Sequence, residues 1–399
     1  MRAGPFSPND LSSPDHLSSL DGVPARGALP GDVVRALHWI GAHLSEPIRI
    51  ETLARIAEVS PRTLETHFRA YLGTTPIGWV RRMRLAFARR QFLMAEGTTS
   101  ITDIAAASGF SQFGRFARQY REAFGELPSQ TRREALRSAT QQRGELDDEA
   151  AFLTWRALTS AFQVAPQGCS AALEDVTRAQ ERAPRYGLTK AIHAWCLGQR
   201  TVHHFDAGSG GRDRSVRLAQ EALTFGPRDA LTLSLCSGAM TLAHRVAEAD
   251  SLIERALAMD PWSAMAWVRR GWISAYLGDS DAAIRELNLT LHLMPFEPIR
   301  HIAFIGIGCA HFAAGRYDRA VRWVREGTRI NPGSFWADRV AVAAATHAGA
   351  RDEARRAART LLRKDPDLTV TMARKAWPFT PRFVERLGDG LERAGVPRA

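Results

Sequence analysis

The chain has 399 residues, of which 45% are hydrophobic and 24% charged, with 53 Lys and Arg against 42 Asp and Glu. This length predicts two or three domains, and the composition excludes a wholly disordered chain or a collagen-like repeat. The net charge of +11 favours a polyanionic partner but does not locate its binding site.

Several classes of protein lack support in the sequence. The four cysteines are widely spaced without a C-x-x-C pair, which is typical of reduced, buried thiols in a cytoplasmic protein. The chain shows neither a signal-peptide core nor an apolar stretch of about 18 residues, so no membrane association is expected. Because it also lacks HExxH, GxSxG, a glycine-rich phosphate loop and a metal-ligand cluster, we expect no enzyme activity, metal or cofactor.

The composition changes along the chain and divides it into four parts. Residues 1–30 are rich in Pro, Gly, Ser and Asp and predict a disordered leader. Residues 31–137 carry short amphipathic helical patterns, and the polar residues 138–149 predict a linker. From 150 to 399 the pattern is again helical. Since no segment alternates as a strand would, the predicted fold class is all-α.

The segment 50–73 predicts a helix-turn-helix unit. Ser60 is a good N-cap, Pro61 suits the first helical position, and Gly73 ends the second helix. The turn between the helices covers residues 58–60. The apolar side chains predicted to form the shared core are Leu53, Ile56, Ala57, Leu64, Phe68 and Leu72.

The segment 101–125 repeats this pattern. Gly109 lies where the turn needs a positive φ, Ser111 is the predicted cap of the second helix, and Gly125 ends it. A last short helix is predicted to open at Pro128–Ser129. The predicted core side chains are Ile101, Ile104, Ala105, Phe116, Tyr120 and Phe124.

A longer helix, predicted over Pro76–Ala95, joins the two units. Its apolar side chains would need burial against both units, which would make the helix a rigid spacer. These side chains are Trp79, Val80, Met83, Phe87 and Leu93.

Residues 33–137, within a predicted domain of residues 31–137, resemble the DNA-binding domain of the AraC/XylS family of transcription regulators. The residues that carry the resemblance are Leu53, Ala54, Ser60, Leu64, Phe68, Gly73, Thr74, Thr75, Pro76, Arg84, Leu85, Ala88, Ile104, Ala105, Gly109, Phe110, Phe116, Phe124, Gly125, Pro128 and Ser129. The resemblance implies that the second helix of each unit enters successive major-groove segments on one DNA face, about one turn apart. These reading helices would be Pro61–Leu72 and Ser111–Ala123.

The exposed side chains of the reading helices are the candidates for base contacts. Arg can read guanine, Gln adenine and Glu cytosine, and Phe113 either contacts a thymine methyl or packs in the domain. The base-reading candidates are Arg62, Thr63, Glu65, Thr66, Arg69, Gln112, Phe113, Arg115, Arg118 and Gln119. The candidates for phosphate contacts, which position without specifying sequence, are Arg81, Arg82, Arg89, Arg90, Arg132 and Arg133.

The region after residue 150 contains a repeat. The prolines at 184, 227, 261, 295, 332 and 366 are spaced by 43, 34, 34, 37 and 34 residues, and 34 is the tetratricopeptide period. Small residues that keep step with these prolines would let paired helices approach closely. They are Ala179, Ala222, Ala249, Ala256, Ala283, Ala320, Ala354, Gly271 and Gly308.

Residues 150–366 therefore resemble tetratricopeptide repeat proteins, with a generic helical bundle as the alternative. Residues 376–395 look like the capping tail of such a domain, and the insertion at 206–214 fits a loop. The resemblance implies a concave surface that binds a peptide or a partner protein. In most AraC/XylS members the DNA-binding domain follows an effector-binding β-barrel; since this chain shows no barrel pattern, effector sensing is not carried over.

The leading hypothesis is a bacterial sequence-specific DNA-binding transcription regulator, with an activator favoured and a repressor left open. Its partners would be double-stranded DNA and, through the repeats, RNA polymerase or another protein; a homodimer is a further candidate. Such a protein would be cytoplasmic and nucleoid-associated. The alternative is a repeat scaffold with an accessory, architectural DNA-binding domain. The charge of the predicted DNA-binding domain agrees with the regulator hypothesis, because residues 31–137 hold 16 Arg against ten acidic residues.

Overall fold

The computed structural model describes seven ranges of the chain, within which every regular element is a helix. They are residues 30–94, 99–133, 147–205, 211–225, 229–261, 263–293 and 299–399. The predicted leader lies outside them apart from Pro30, and the predicted linker apart from residues 147–149. No helix in these ranges has both the length and the apolar character that a membrane crossing requires.

The N-terminal domain contains six complete helices within its described residues. They are α1 (Gly31–Ala42), α2 (Ile50–Ala57), α3 (Pro61–Leu72), α4 (Pro76–Met94), α5 (Ile101–Ala107) and α6 (Phe113–Phe124). Residues 128–133 are also helical, as predicted for a helix opening at Pro128. The pairs α2–α3 and α5–α6 are the two predicted helix-turn-helix units, and α4 is the predicted spacer.

Local capping explains the ends of the helices in the first unit. The Ser60 hydroxyl accepts a hydrogen bond from the Thr63 amide at 3.1 Å, and Pro61 occupies the first helical position. Gly73 ends α3 with a φ of 64°, in the left-handed region that favours glycine. The turn residue Glu58 has a φ of 58°. The predicted cap, start and stop of this unit are confirmed.

The second unit follows the prediction except at the start of its reading helix. Gly109 and Gly125 have φ values of 82° and 75°, as their placement at the turn and the helix end requires. The prediction that Ser111 caps the helix is wrong. Gln112 occupies the N-cap position with an extended backbone, so the turn is longer and α6 begins at Phe113.

The spacer helix divides its buried face between two separate cores. Trp79, Val80 and Met83 enter the core of the first unit, and this part of the prediction is confirmed. The second core instead receives side chains that the prediction missed, namely Leu85, Ala88 and Phe92. Phe87 was predicted to be buried and is 37% exposed, because it lies on the opposite side of α4 from these residues. The side chain of Leu93 lies outside the described part.

Helix pairs with the predicted spacing form the second half of the chain. They are α7 (Asp148–Ala161) with α8 (Pro166–Arg182), α9 (Gly187–His203) with α10 (Gly211–Thr224), α11 (Ala230–Leu242) with α12 (Val246–Met259), α13 (Ala264–Leu277) with α14 (Ser280–Leu293), α15 (Arg300–Ala313) with α16 (Tyr317–Ile330), and α17 (Asp338–His347) with α18 (Arg351–Lys364). A 3-10 helix, Pro332–Ala337, precedes α17, and α19 (Val370–Ala376) and α20 (Pro381–Arg393) follow α18.

The predicted repeat signals mark the ends and contacts of these pairs. Pro184, Pro261, Pro332 and Pro366 each stand two residues beyond the second helix of a pair. A Cβ on Gly271 would lie 2.5 Å from Cγ of Leu287 in the paired helix. Close helix contact therefore requires the small residues, and the tetratricopeptide-like solenoid is confirmed. The predicted loop at 206–214 is helical from Gly211, while residues 206–210 lie outside the described ranges.

The C-terminal residues join the last repeats to the first. Asn331 donates from Nδ2 to the carbonyl oxygen of Gln163 at 2.5 Å. Trp336 donates from Nε1 to the carbonyl oxygen of Val164 at 2.9 Å. The 3-10 helix thus seals the solenoid against the loop after α7.

Aromatic side chains fill the space that this closure creates. His203 stacks on Trp336 with ring centroids 3.9 Å apart, and Trp377 meets Trp336 edge-on at 5.9 Å. Phe379 packs against Tyr276 at 4.6 Å. The concave surface implied by the resemblance is therefore occupied by the chain's own side chains. The capping role predicted for the tail is kept by α20, which packs on α17.

The solenoid also completes the core of the first helix-turn-helix unit. Leu289 of α14 is 1% exposed and belongs to the same core as Phe68 and Trp79. Trp267 of α13 packs on that core, with its ring centroid 6.5 Å from that of Trp79. Apolar packing therefore holds the two halves of the molecule together.

The contact between Gly271 and Leu287 gives a test of the repeat packing. Gly271→Ala should lower the free energy of unfolding by about 1–3 kcal/mol, because the new Cβ overpacks the helix pair. Leu287→Ala alone should cost about 2–5 kcal/mol. In the double variant the shorter side chain makes room for the Cβ, so the two losses should fall short of additivity by at least about 1 kcal/mol in denaturant unfolding. Strictly additive losses would contradict this packing.

Candidate nucleic-acid interface

The first reading helix, α3, presents a polar row to solvent. Arg62, Thr66 and Arg69 are exposed, whereas Thr63 and Glu65 are half-buried. The Thr63 hydroxyl lies 2.8 Å from the Ser60 hydroxyl and so takes part in the helix cap. The structure therefore brings all five predicted residues onto one accessible helix, with Thr63 tied to its start.

The second reading helix, α6, is accessible at its N-terminal end. Gln112, Arg115 and Arg118 are exposed, and Gln119 is half-buried. Phe113 is 44% exposed, so the packing alternative for this side chain is not what the structure shows. An exposed aromatic ring at the start of a reading helix is suited to contact with a thymine methyl group.

Each reading helix has one arginine that forms an ion pair with a glutamate one helical turn away. Arg69 Nη2 lies 3.4 Å from Glu65 Oε2, and Arg118 Nε lies 3.9 Å from Glu122 Oε1. Both pairs are solvent-exposed, so each contributes at most a few tenths of a kcal/mol. The arginines can therefore exchange these partners for base edges at little cost.

A basic groove of about 390 Å³ runs between the spacer helix and the start of α6. Arg81 and Arg84 line it from α4, and Gln112, Arg115 and Gln119 line it from the second unit. Base-reading and phosphate-type side chains thus converge on one depression. A positively charged concave surface of this kind attracts a polyanion.

Arg84 positions the wall of this groove, a role that the sequence reasoning missed. Its Nε donates to the carbonyl oxygen of Leu44 at 2.8 Å, and Nη2 donates to that of Glu46. A Cβ on Gly109 would lie 2.8 Å from Arg84 Nε, so glycine is needed there for space as well as for φ. Burial lowers the pKa of the Arg84 guanidinium. The sequence did mark both positions, because Arg84 and Gly109 are among the residues that carry the family resemblance.

Comparisons with known proteins identify this part of the chain. Residues 53–134 match the family described as a helix-turn-helix domain. The XylDLEGF operon transcriptional activator 2 of Pseudomonas putida is 41% identical over 100 residues, which are 24% of this chain and 62% of that protein. The probable thc operon regulatory protein of Rhodococcus erythropolis is 38% identical over 104 residues, 26% of this chain and 31% of that protein.

A solved structure is also similar to this part of the chain. It is a transcriptional regulator from Chromobacterium violaceum, described as AraC-type, which is 32% identical and covers 26% of this chain and 91% of its own, with a TM-score of 0.25. Residues 53–134 are an AraC-type helix-turn-helix domain. The family match and the two operon regulators confirm the predicted AraC/XylS resemblance. The chain spans less than two thirds of the two curated relatives, and the shared part is the AraC-type domain.

The arginines predicted to contact phosphate differ in their exposure and position within the structure. Arg81 and Arg133 are exposed and remain candidates, while Arg132 is half-buried and the side chain of Arg90 lies outside the described part. Arg82 instead lines a cavity between the domain and the solenoid, where Glu254 and Glu286 are also found. The Arg82 side chain is nevertheless exposed and remains a candidate for a phosphate contact.

Arg89 does not fit the predicted role, because it is 9% exposed and paired inside the domain. Its Nη2 lies 2.9 Å from Glu126 Oε1, and its guanidinium lies over the Phe124 ring at 4.6 Å from the centroid. Thr131 donates to Glu126 and accepts from the Tyr120 hydroxyl, both near 2.8–2.9 Å. Burial raises the pKa of Tyr120 to about 12, so it stays a donor. Arg89 thus closes the end of the second unit.

The two roles for Arg89 lead to different outcomes. If it is structural, Arg89→Met should lower the free energy of unfolding by about 2–4 kcal/mol, because Glu126 loses its partner in a partly buried place. The salt dependence of DNA binding should stay unchanged, since no phosphate contact is lost. The matched control is Arg133→Met, an exposed change that should leave thermal unfolding within about 0.5 kcal/mol. Unchanged stability with a shallower salt slope for Arg89→Met would restore the phosphate role.

Proposed function

We propose that the protein is a sequence-specific DNA-binding transcription regulator that acts as an activator. The observation that carries the proposal is the pair of helix-turn-helix units on one spacer helix, each exposing a polar reading helix. Sequence-specific reading requires such exposed side chains at base edges, and the fixed spacer sets the distance between them. Activation is proposed because a similar Pseudomonas putida protein is named a transcriptional activator.

The chemistry of the exposed side chains suggests how the two helices divide the task. Arg62 and Arg69 on α3, and Arg115 and Arg118 on α6, would read guanine through paired hydrogen bonds. Gln112 and Gln119 would read adenine, and Glu65 would accept from cytosine. Arg81, an exposed residue that lines the groove, would hold a phosphate and set the register.

The solenoid would serve protein contact or signal input. Contact with RNA polymerase or another protein, or self-association as a homodimer, would have to use its outer surface, because its centre is filled by residues such as Trp336 and Trp377. We further propose a cytoplasmic, nucleoid-associated protein, as expected for a DNA-bound regulator. The packing of Leu289 and Trp267 on the AraC-type domain would pass a change in the solenoid to the spacer helix.

A scaffold with architectural DNA binding is the competing function, and the two make different demands on the reading residues. An architectural protein holds the backbone and is indifferent to base sequence. The row of Arg, Gln and Glu on α3 and α6 favours the regulator, because such side chains discriminate between bases.

Base reading and phosphate contact can be separated by two arginine variants. Once a binding site has been selected from random DNA, Arg118→Ala should weaken binding to that site by about 1–3 kcal/mol and leave random DNA much less affected. Arg81→Ala should weaken binding to both DNAs equally and reduce the salt slope by about one. The measurement is a fluorescence-anisotropy titration at several salt concentrations.

The regulator proposal would be contradicted at two points in this experiment. One is a selection that enriches no sequence above random competitor at physiological salt. The other is an Arg118→Ala variant that weakens binding to every DNA to the same degree as Arg81→Ala. Either result would favour the architectural alternative.

A further inference from the structure

A small cavity lies among the helix pairs of the solenoid, lined by residues none of which belongs to the candidate DNA contacts. Its volume is about 20 Å³, which accommodates one or two water-sized groups. The walls come from the first helices of successive pairs and from the C-terminal segment that closes them. Trp195, Trp272, Trp336 and Trp377 supply most of the apolar lining.

Arg269 lines this cavity and is 2% exposed. Its guanidinium lies over the Trp195 ring, 5.0 Å from the centroid, and its Nε and Nη2 have no hydrogen-bond partner in the described part of the molecule. Burial lowers the pKa of Arg269 to about 10, so the group remains charged at neutral pH. A buried cation without a counter-ion is unfavourable, and stacking on an indole compensates only in part.

Other arginines in the same half show what is unusual about Arg269. Arg339 is fully buried, and its Nη2 lies 2.9 Å from a carboxylate oxygen of Asp365. Arg270, the next residue on α13, has Nη1 at 2.5 Å from Asp250 and at 3.3 Å from Glu254. By contrast, no acidic side chain is among the described residues that line the cavity around Arg269.

Three of the four unmatched buried nitrogens on the lining side chains are donors, and the fourth, His203 Nδ1, is an acceptor when Nε2 donates to Gln199. Besides the two Arg269 nitrogens, the indole N–H of Trp195 has no acceptor within the described ranges. His203 uses its Nε2 with Gln199 Oε1 at 2.8 Å, and burial keeps its pKa well below the usual value, so it is neutral. The cavity therefore has one positive charge, spare N–H groups and an aromatic wall, a combination that complements a small anion.

We propose that this cavity binds a small monoanion, of the size of chloride, on the Arg269 guanidinium. The anion would accept charge-assisted hydrogen bonds from Arg269 and lie against the indole rings. Larger anions do not fit the small volume of the cavity. The site would make the solenoid a sensor for small anions.

The helix that holds Arg269 also contacts the AraC-type domain. Two residues before Arg269, Trp267 packs on the core of the first unit beside Trp79 of the spacer helix. A shift of α13 on anion binding would therefore reach the spacer between the reading helices. This second step, unlike the binding site itself, rests on the proposed DNA-binding function.

Binding is tested on the full-length protein without DNA. Chloride replaces gluconate at constant ionic strength, since gluconate is too large for the cavity. The wild type should show a saturable rise in melting temperature of several degrees and a saturable change in tryptophan fluorescence. Arg269→Met should abolish both responses, whereas the matched control Arg270→Met should keep them. A wild type without a saturable response, or an unchanged response in Arg269→Met, would overturn the proposal.

A second measurement does not depend on the folding of a variant. Wild-type crystals soaked in bromide should give an anomalous peak within hydrogen-bonding reach of Arg269, and bromide found only elsewhere would overturn the site. For the coupling, saturating anion should change the affinity for selected DNA at least about fivefold in the wild type but not in Arg269→Met. Equal DNA affinities with and without anion would overturn the coupling alone, whereas loss of all sequence selection would overturn the proposed function.

Discussion

The hydrogen bonds from Trp336 and Asn331 to the loop after α7 are the constraint on which the rest of the solenoid depends. The two bonds span sequence separations of 168 and 172 positions, and they bring the last repeats against the first. An open solenoid contacts only its neighbours along the chain and leaves its concave side free for a partner. Here the closure buries the tryptophan cluster, surrounds Arg269 with apolar rings and leaves only the outer surface for proteins.

The solenoid and the AraC-type domain share one apolar core. Leu289 and Trp267 supply apolar surface that the first helix-turn-helix unit lacks on its own. The spacer helix then passes from this shared core to the second unit, where Arg89 and Glu126 fix its far end. The distance between the reading helices therefore depends on packing that the solenoid helps to provide.

Features set by neighbouring residues could be predicted from the sequence. Ser60, Gly73, Gly109 and Gly125 act through their own backbone angles or the adjacent amide groups, so a single sequence suffices to place them. The 34-residue spacing of prolines likewise predicts the helix pairs. The closure by Trp336, the burial of Arg89 and the turning of Arg82 towards the solenoid were missed, because each depends on contacts between distant segments. An arginine on a helix face has the same sequence pattern whether it meets solvent, phosphate or a buried carboxylate.

Hydroxyl-radical footprinting of the full-length protein on a selected DNA site tests the central claim most directly, namely that both units read DNA from one rigid spacer. The account predicts two protected segments on one face of the duplex, with centres about 10–10.5 base pairs apart, because successive major-groove segments recur at that spacing. A single protected segment, or two segments on opposite faces, would contradict it.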